Sequence, residues 1–137
     1  MTDSYCIYCV DDDHFMLQML AFQLRKHFSD DKIIIELIDD PRLVLSLLEE
    51  CRRNEIIPIL GIIDYQMPEI NGAQLIRLIK KKFPAQKFIM VSGNSSAIQI
   101  SELVEDDSLD FYLSKPWEES DLIDKINKCL PIPIQTR

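Results

Sequence analysis

The sequence predicts an α/β domain in which a five-stranded parallel sheet is covered by helices on both faces. Three observations predict it. Five short apolar runs alternate with five segments of helical periodicity. Several of the runs are β-branched and near-continuous, as strands buried on both faces are. The length of 137 residues suits one domain with a single sizeable core, which needs no disulfide or metal staple.

The first run covers residues 5–10 and leads into three aspartates. Leu17, Leu20, Ala21, Leu24 and Phe28 then recur at i, i+3, i+4, i+7 and i+11, the buried stripe of a surface helix. Residues 32–37 are the second run. Asp40-Pro41 reads as an N-cap followed by a first-turn proline, and Val44, Leu47, Leu48 and Cys51 form the next stripe. Residues 59–63 are the third run; Leu75, Ile76, Ile79 and Phe83 follow it, and Pro84 stops that helix. Lys80-Lys81-Lys82 is its solvated last turn, complementing the helix dipole. Residues 87–91 are the fourth run, and Ile100, Leu103 and Val104 mark a weaker helical pattern. Residues 110–113 are the fifth run, and Leu122, Ile123, Ile126 and Leu130 the last stripe. Residues 1–130 thus read as one domain, and 131–137, with Pro131 and Pro133, as a tail or the start of a linker.

Composition excludes several classes of function. The formal net charge of −8, from 15 Lys+Arg against 23 Asp+Glu, argues against a nucleic-acid surface, which needs clustered cations. No apolar run approaches the roughly 20 residues of a membrane helix, and no signal peptide is visible, so a soluble cytoplasmic protein is expected. Cys6 and Cys9 spell C-x-x-C, but on a strand positions i and i+3 face opposite sides, so the two sulfurs are expected to point apart. No second C-x-x-C completes a zinc site. His14 and His27 lack Cys or His at ligand spacing and read as surface or cap residues.

Doubly wound sheets bind ligands beyond the carboxyl ends of their strands. Asp11, Asp12 and Asp13 follow the first run, Asp64 the third, Ser92-Gly93-Asn94 the fourth and Lys115-Pro116 the fifth. Carboxylates, a hydroxyl and an ammonium therefore gather at one sheet edge. Two carboxylates about 5 Å apart repel by roughly 3 kcal/mol at an effective dielectric near 20. A hard divalent cation relieves that repulsion, with Mg²⁺ the usual choice beside a phosphate. Carboxylates can also act as nucleophiles and form aspartyl-phosphates. Asp13 is the member of the acidic run that reads best as a helix cap.

Four segments resemble, in order, the motifs of the response-regulator receiver domain. They are Val10-Asp11-Asp12-Asp13, Ile63-Asp64-Tyr65-Gln66-Met67-Pro68-Glu69-Ile70-Asn71-Gly72, Met90-Val91-Ser92-Gly93 and Phe111-Tyr112-Leu113-Ser114-Lys115-Pro116. The resemblance covers roughly residues 5–130 and implies a CheY-like (βα)5 flavodoxin-like sheet of order 2-1-3-4-5. It implies a phosphoacceptor in a two-component phosphorelay, served by a sensor histidine kinase or a His-phosphotransfer protein. Asp64 is then the phosphoacceptor. Mg²⁺ (or Mn²⁺) would take Asp12, Asp64 and the backbone carbonyl of Gln66, with Asp11 close by through water. Lys115 would pair with Asp64 at rest and with a phosphoryl oxygen afterwards. Ser92 would donate its hydroxyl to the phosphoryl group, and Tyr112 would swing inward as Ser92 moves. The resemblance also implies a cis Lys115-Pro116 bond and leaves a homodimer open. The output partner, or an output domain, is not legible.

Departures from the family pattern are mild. Ser92 replaces the more frequent Thr, and Trp117 stands where Phe is commoner. The resemblance also places Gln66 and Asn94 beside the expected path of hydrolytic water, where they would bear on phosphoryl lifetime. Two other readings compete. A haloacid-dehalogenase-type phosphatase would use the Asp-x-Asp within Asp11-Asp12-Asp13, but Phe15 stands where that family has Thr or Val, and no cap insertion is visible. A receiver kept only as a scaffold is disfavoured because every site residue is present.

Overall fold

The computed structural model describes residues 4–93, 101 and 108–131. The weak helical pattern at Ile100, Leu103 and Val104 is not testable on it, since Ile100 and residues 102–107 lie outside the described residues, as do Asn94 and residues 132–137. Five strands, β1 (Ser4–Val10), β2 (Ile33–Ile38), β3 (Ile56–Asp64), β4 (Phe88–Ser92) and β5 (Phe111–Ser114), form one sheet. Its order is β2-β1-β3-β4-β5, and all pairs are parallel, as the sequence predicts. The described helices are α1 (His14–His27), α2 (Val44–Arg53), α3 (Gly72–Lys82) and α4 (Glu119–Cys129).

The period-2 geometry of the strands sorts the core into two layers. Tyr5, Ile7 and Cys9 of β1 meet Leu17, Leu20 and Leu24 of α1 and Leu122 and Ile126 of α4 on one face. Cys6, Tyr8 and Val10 meet Val44 and Leu48 of α2 and Ile76 and Ile79 of α3 on the other. Cys6 and Cys9 therefore lie on opposite sides of the sheet, and all four cysteines are free and buried. Burial pushes the Cys9 thiol up to about 12 and the Cys6 thiol higher still, which makes both poor nucleophiles and ligands.

Local punctuation sets the helix ends. Asp13 caps α1 by accepting the Phe15 N–H at 2.9 Å. Asp40 accepts the Arg42 N–H at 3.0 Å, at the start of the single 3-10 turn Pro41–Leu43 that leads into α2. Asn71 and Gln74 form a reciprocal capping box on α3. The sequence places β3 at residues 59–63, whereas the strand starts at Ile56. Pro58 hides this extension, because proline cannot donate to a ladder. It is accommodated at an irregularity: Pro58 pairs with Cys6 and Leu60 with Ile7, leaving Ile59 without a partner.

Gly72 anchors the start of α3 against the end of β3. Its N–H donates to the Tyr65 carbonyl at 2.8 Å, and a Cβ there would stand 2.6 Å from the Asp64 carbonyl oxygen. That neighbour is backbone and cannot rotate away. Gly72→Ala is expected to lower stability by about 1–3 kcal/mol in urea unfolding, as overpacked sites do.

Candidate functional site

The parallel register carries the site residues to one edge. Val10 pairs with Ile63, so Asp11, just past β1, stands beside Asp64, the last residue of β3. Asp64 pairs with Val91, which puts Ser92 one step further along β4. Ser92 pairs with Ser114, and the Lys115 N–H donates to the Ser92 carbonyl at 2.8 Å, extending that ladder by one residue. Lys115-Pro116 is cis, as expected.

One carboxylate oxygen from each of Asp11, Asp12 and Asp64 lies within 4.8 Å of the other two. Asp11 and Asp64 are buried and Asp12 is exposed, so the cluster opens to solvent on the Asp12 side. Lys115 places Nζ 2.8 Å from Asp64 Oδ1 and 3.6 Å from Asp11 Oδ2. Asp11 Oδ1 also accepts the Asp13 N–H at 2.9 Å.

Burial raises the Asp11 carboxyl to about 6, with the Asp64 charge adding to the rise and the Asp13 N–H and Lys115 opposing it. Burial likewise raises Asp64, against the pull of Lys115. For Lys115, burial favours the neutral form, but Asp64 and Asp11 outweigh it and hold the ammonium above its ordinary value. One ammonium cannot balance three carboxylates. The excess negative charge and the all-oxygen donor set make this an acidic pocket that could bind a hard divalent cation.

Three hydroxyls lie on the neighbouring strands β4 and β5. Ser92, 1% exposed, donates to the Gly93 carbonyl at 3.3 Å, and the half-buried Tyr112 donates to the same carbonyl at 3.4 Å. Ser114 in turn donates to the Tyr112 oxygen at 3.2 Å. Gln66 lies two residues beyond Asp64 on the loop after β3 and is exposed. The structure thus brings Asp11, Asp12, Asp64 and Lys115 together, with Ser92 at the adjacent strand end, and makes Asp13 a cap rather than a member of the cluster.

The response regulator receiver domain family matches residues 7–127. The chain belongs to that family. This receiver is 31% identical over 117 residues to a two-component response regulator sequence of Arabidopsis thaliana, ARR21, covering 82% of the chain but 17% of the relative. It is 31% identical over 74 residues to the chemotaxis protein CheY of Thermotoga maritima, covering 54% of the chain and 61% of CheY. The response regulator protein TodT of Pseudomonas putida is 24% identical over 131 residues, and the receiver spans 57% of its length. Among solved structures, a receiver domain protein from Clostridium thermocellum superposes with a TM-score of 0.74 at 26% identity, covering 91% of this chain and 93% of that one. A CheY-like receiver from Methanospirillum hungatei gives 0.75 at 26% identity, covering 92% and 93%. Among the described residues no helix is long and apolar enough to cross a membrane.

Three features of the receiver escape the sequence reading. Trp117 donates from Nε1 to Gln23 Oε1 at 2.8 Å, tying the loop that carries Lys115 to α1. Glu119 accepts Lys26 at 2.8 Å and His27 at 2.9 Å, so His27 belongs to a cluster between α1 and α4. Partners this far apart in the chain leave no local signal. The third feature was visible: Phe15, Met19 and Phe22 stand at i, i+4 and i+7 on the side of α1 away from the core, and Phe15 and Phe22 are 71% and 67% exposed.

Proposed function

We propose that this receiver is a phosphoacceptor switch. It takes a phosphoryl group on Asp64 from a sensor histidine kinase or His-phosphotransfer protein, in the cytoplasm. The reading rests on one observation above the others: Asp64 is held at 2.8 Å by Lys115 inside a three-carboxylate cluster. An Asp64 oxygen attacks the phosphorus of a phosphohistidine; the O–P bond forms as the P–N bond breaks, and the electron pair returns to the imidazole. Lys115 then exchanges its Asp64 contact for a phosphoryl oxygen, and Ser92 turns its hydroxyl from Gly93 toward the same group. Tyr112 shares the Gly93 carbonyl with Ser92, so movement of one hydroxyl frees an acceptor for the other.

Asp12, Asp64 and the Gln66 carbonyl would hold Mg²⁺ (or Mn²⁺), with Asp11 acting through water. When bound, the ion supplies positive charge that offsets the phosphoryl oxygens. The receiver is no classical enzyme in this reading: it promotes its own phosphorylation and dephosphorylation. Its 1–130 domain signals through a changed surface. Incubation with acetyl phosphate and Mg²⁺ followed by intact mass measurement tests the proposal. A gain of one phosphoryl group supports it, and no gain rejects it.

Phe15, two residues past the Asp13 cap, begins the exposed apolar stripe at the end of α1 that follows the acidic run. We assign that stripe to the donor. Replacing Phe15 and Phe22 by Ser is expected to slow uptake from a phosphorylated His-phosphotransfer protein by about tenfold or more, as loss of aromatic anchors does. Uptake from acetyl phosphate is expected to stay unchanged, since the small donor needs no docking surface.

A further inference from the structure

At the sheet edge opposite the acidic crevice lies a cavity of about 450 Å³, within the size range of small-molecule sites. The parallel strands β3 and β4 begin there and end at Asp64 and Ser92. Its walls are apolar: Ile57 and Pro58 from β3, and Phe83 and Pro84 from the end of α3. Ile57 is 44% exposed, so part of its aliphatic surface is open to a ligand.

Among the described residues, every charged one lining this cavity is a cation, although the protein carries a net charge of −8. Arg52 stacks over the Phe83 ring at 4.6 Å from its centroid and reaches Glu49 at 3.9 Å. Lys82 and Lys87 have no ion-pair partner among the described residues. Lys82 belongs to the last turn of α3, where it complements the helix dipole. Lys87 belongs to no helix, so that explanation does not cover it.

A third observation is independent of charge. Gln86 lines the cavity and is 5% exposed, and its amide nitrogen is buried without a hydrogen-bond partner. That nitrogen is closed to solvent, so the side chain must turn toward the cavity to offer it to an acceptor, and the costly unmade bond offsets part of that turn.

We propose that this cavity binds a small amphipathic carboxylate. Its apolar body would lie between Ile57, Pro58 and Phe83, with its anionic head toward Lys82, Lys87 and the Gln86 amide. The site is separate from the acidic crevice, and the proposal stands or falls independently of phosphoryl transfer.

Amide chemical-shift titration of the whole chain tests it, with octanoate and phenylacetate as probes and octanol and acetate as controls. Saturable shifts centred on Ile57, Phe83, Gln86 and Lys87 are expected for the two amphipathic carboxylates. Octanoate prevailing over phenylacetate would identify an alkyl body, and the reverse an aromatic one. Lys82→Glu with Lys87→Glu, both exposed positions, is expected to weaken binding by about tenfold or more, the effect of about 1.4 kcal/mol. Gln86→Leu keeps the volume and removes the unpaired donor, so it is expected to weaken the carboxylates while leaving octanol unchanged. Phosphoryl uptake from acetyl phosphate should be unaffected by these substitutions. Absence of saturable shifts overturns the proposal. So does octanol binding as tightly as octanoate, acetate as tightly as either probe, or undiminished binding by the Glu double variant.

Discussion

Asp64→Asn is expected to gain no phosphoryl group from acetyl phosphate and Mg²⁺ under conditions in which the parent gains one. The amide keeps the shape of the side chain but lacks a nucleophilic oxygen anion. The protein should still fold, because the substitution removes one of two buried carboxylates that repel each other. Lys115→Met tests the same step from the other side. It leaves the nucleophile in place but withdraws the ammonium 2.8 Å from Asp64. Uptake is expected to slow by about 10²-fold, the usual scale for losing one preorganised donor to developing charge. Transfer onto Asp64→Asn at another aspartate would remove Asp64 from its role. Multiple turnover of a phosphate ester that disappears in Asp11→Asn would instead favour a phosphatase built on the Asp-x-Asp sequence.

The second large effect concerns pH and metal together. Burial raises the Asp11 carboxyl from its ordinary 3.8 to about 6, so between those values the folded chain holds a proton that the unfolded chain releases. This contribution to stability is fully present below the unfolded pKa and is lost as pH rises through the folded one. Asp64 is raised as well and acts in the same direction. The metal-free protein is therefore expected to lose about 1–3 kcal/mol of stability from this site between pH 4 and pH 7. Asp40 and Glu119 have lowered carboxyls and act the other way, but only at the acid end of that range. Asp11→Asn should flatten the slope and stabilise the metal-free protein at neutral pH.

Mg²⁺ is expected to reverse the trend, because a cation held by the ionised carboxylates would compete with protons. At a hundred times its Kd it is expected to add about 2.7 kcal/mol at pH 7.5, and much less at pH 5. Urea unfolding with and without Mg²⁺ at the two pH values measures both effects. Stability of the metal-free protein that climbs steadily from pH 5 to 8 would contradict the raised Asp11. A Mg²⁺ increment equal at both pH values would contradict metal binding by these carboxylates.

Much of this was legible in advance because it depends on short-range rules. The stripe of Leu17, Leu20 and Leu24 and the cap at Asp13 follow from helical period and local hydrogen bonding, and the structure agrees with both. The opposite facing of Cys6 and Cys9 follows from the period of a strand. Pro58 breaks a local rule and conceals the first residues of β3, because its accommodation depends on the register with β1. The gathering of Asp11, Asp12, Asp64 and Lys115 follows from their places after the predicted parallel strands.

Spacing along the chain is enough to set the succession of strands and helices, the faces they bury and the kinds of group that end each strand. The packed chain alone settles that Asp11 is driven toward neutrality, that Trp117 reaches Gln23, and that cations line an apolar cavity at the far edge. Each of those depends on distance and burial between residues tens of positions apart. Coulomb energy and desolvation are set by such separations in space, and no pattern along the chain encodes them.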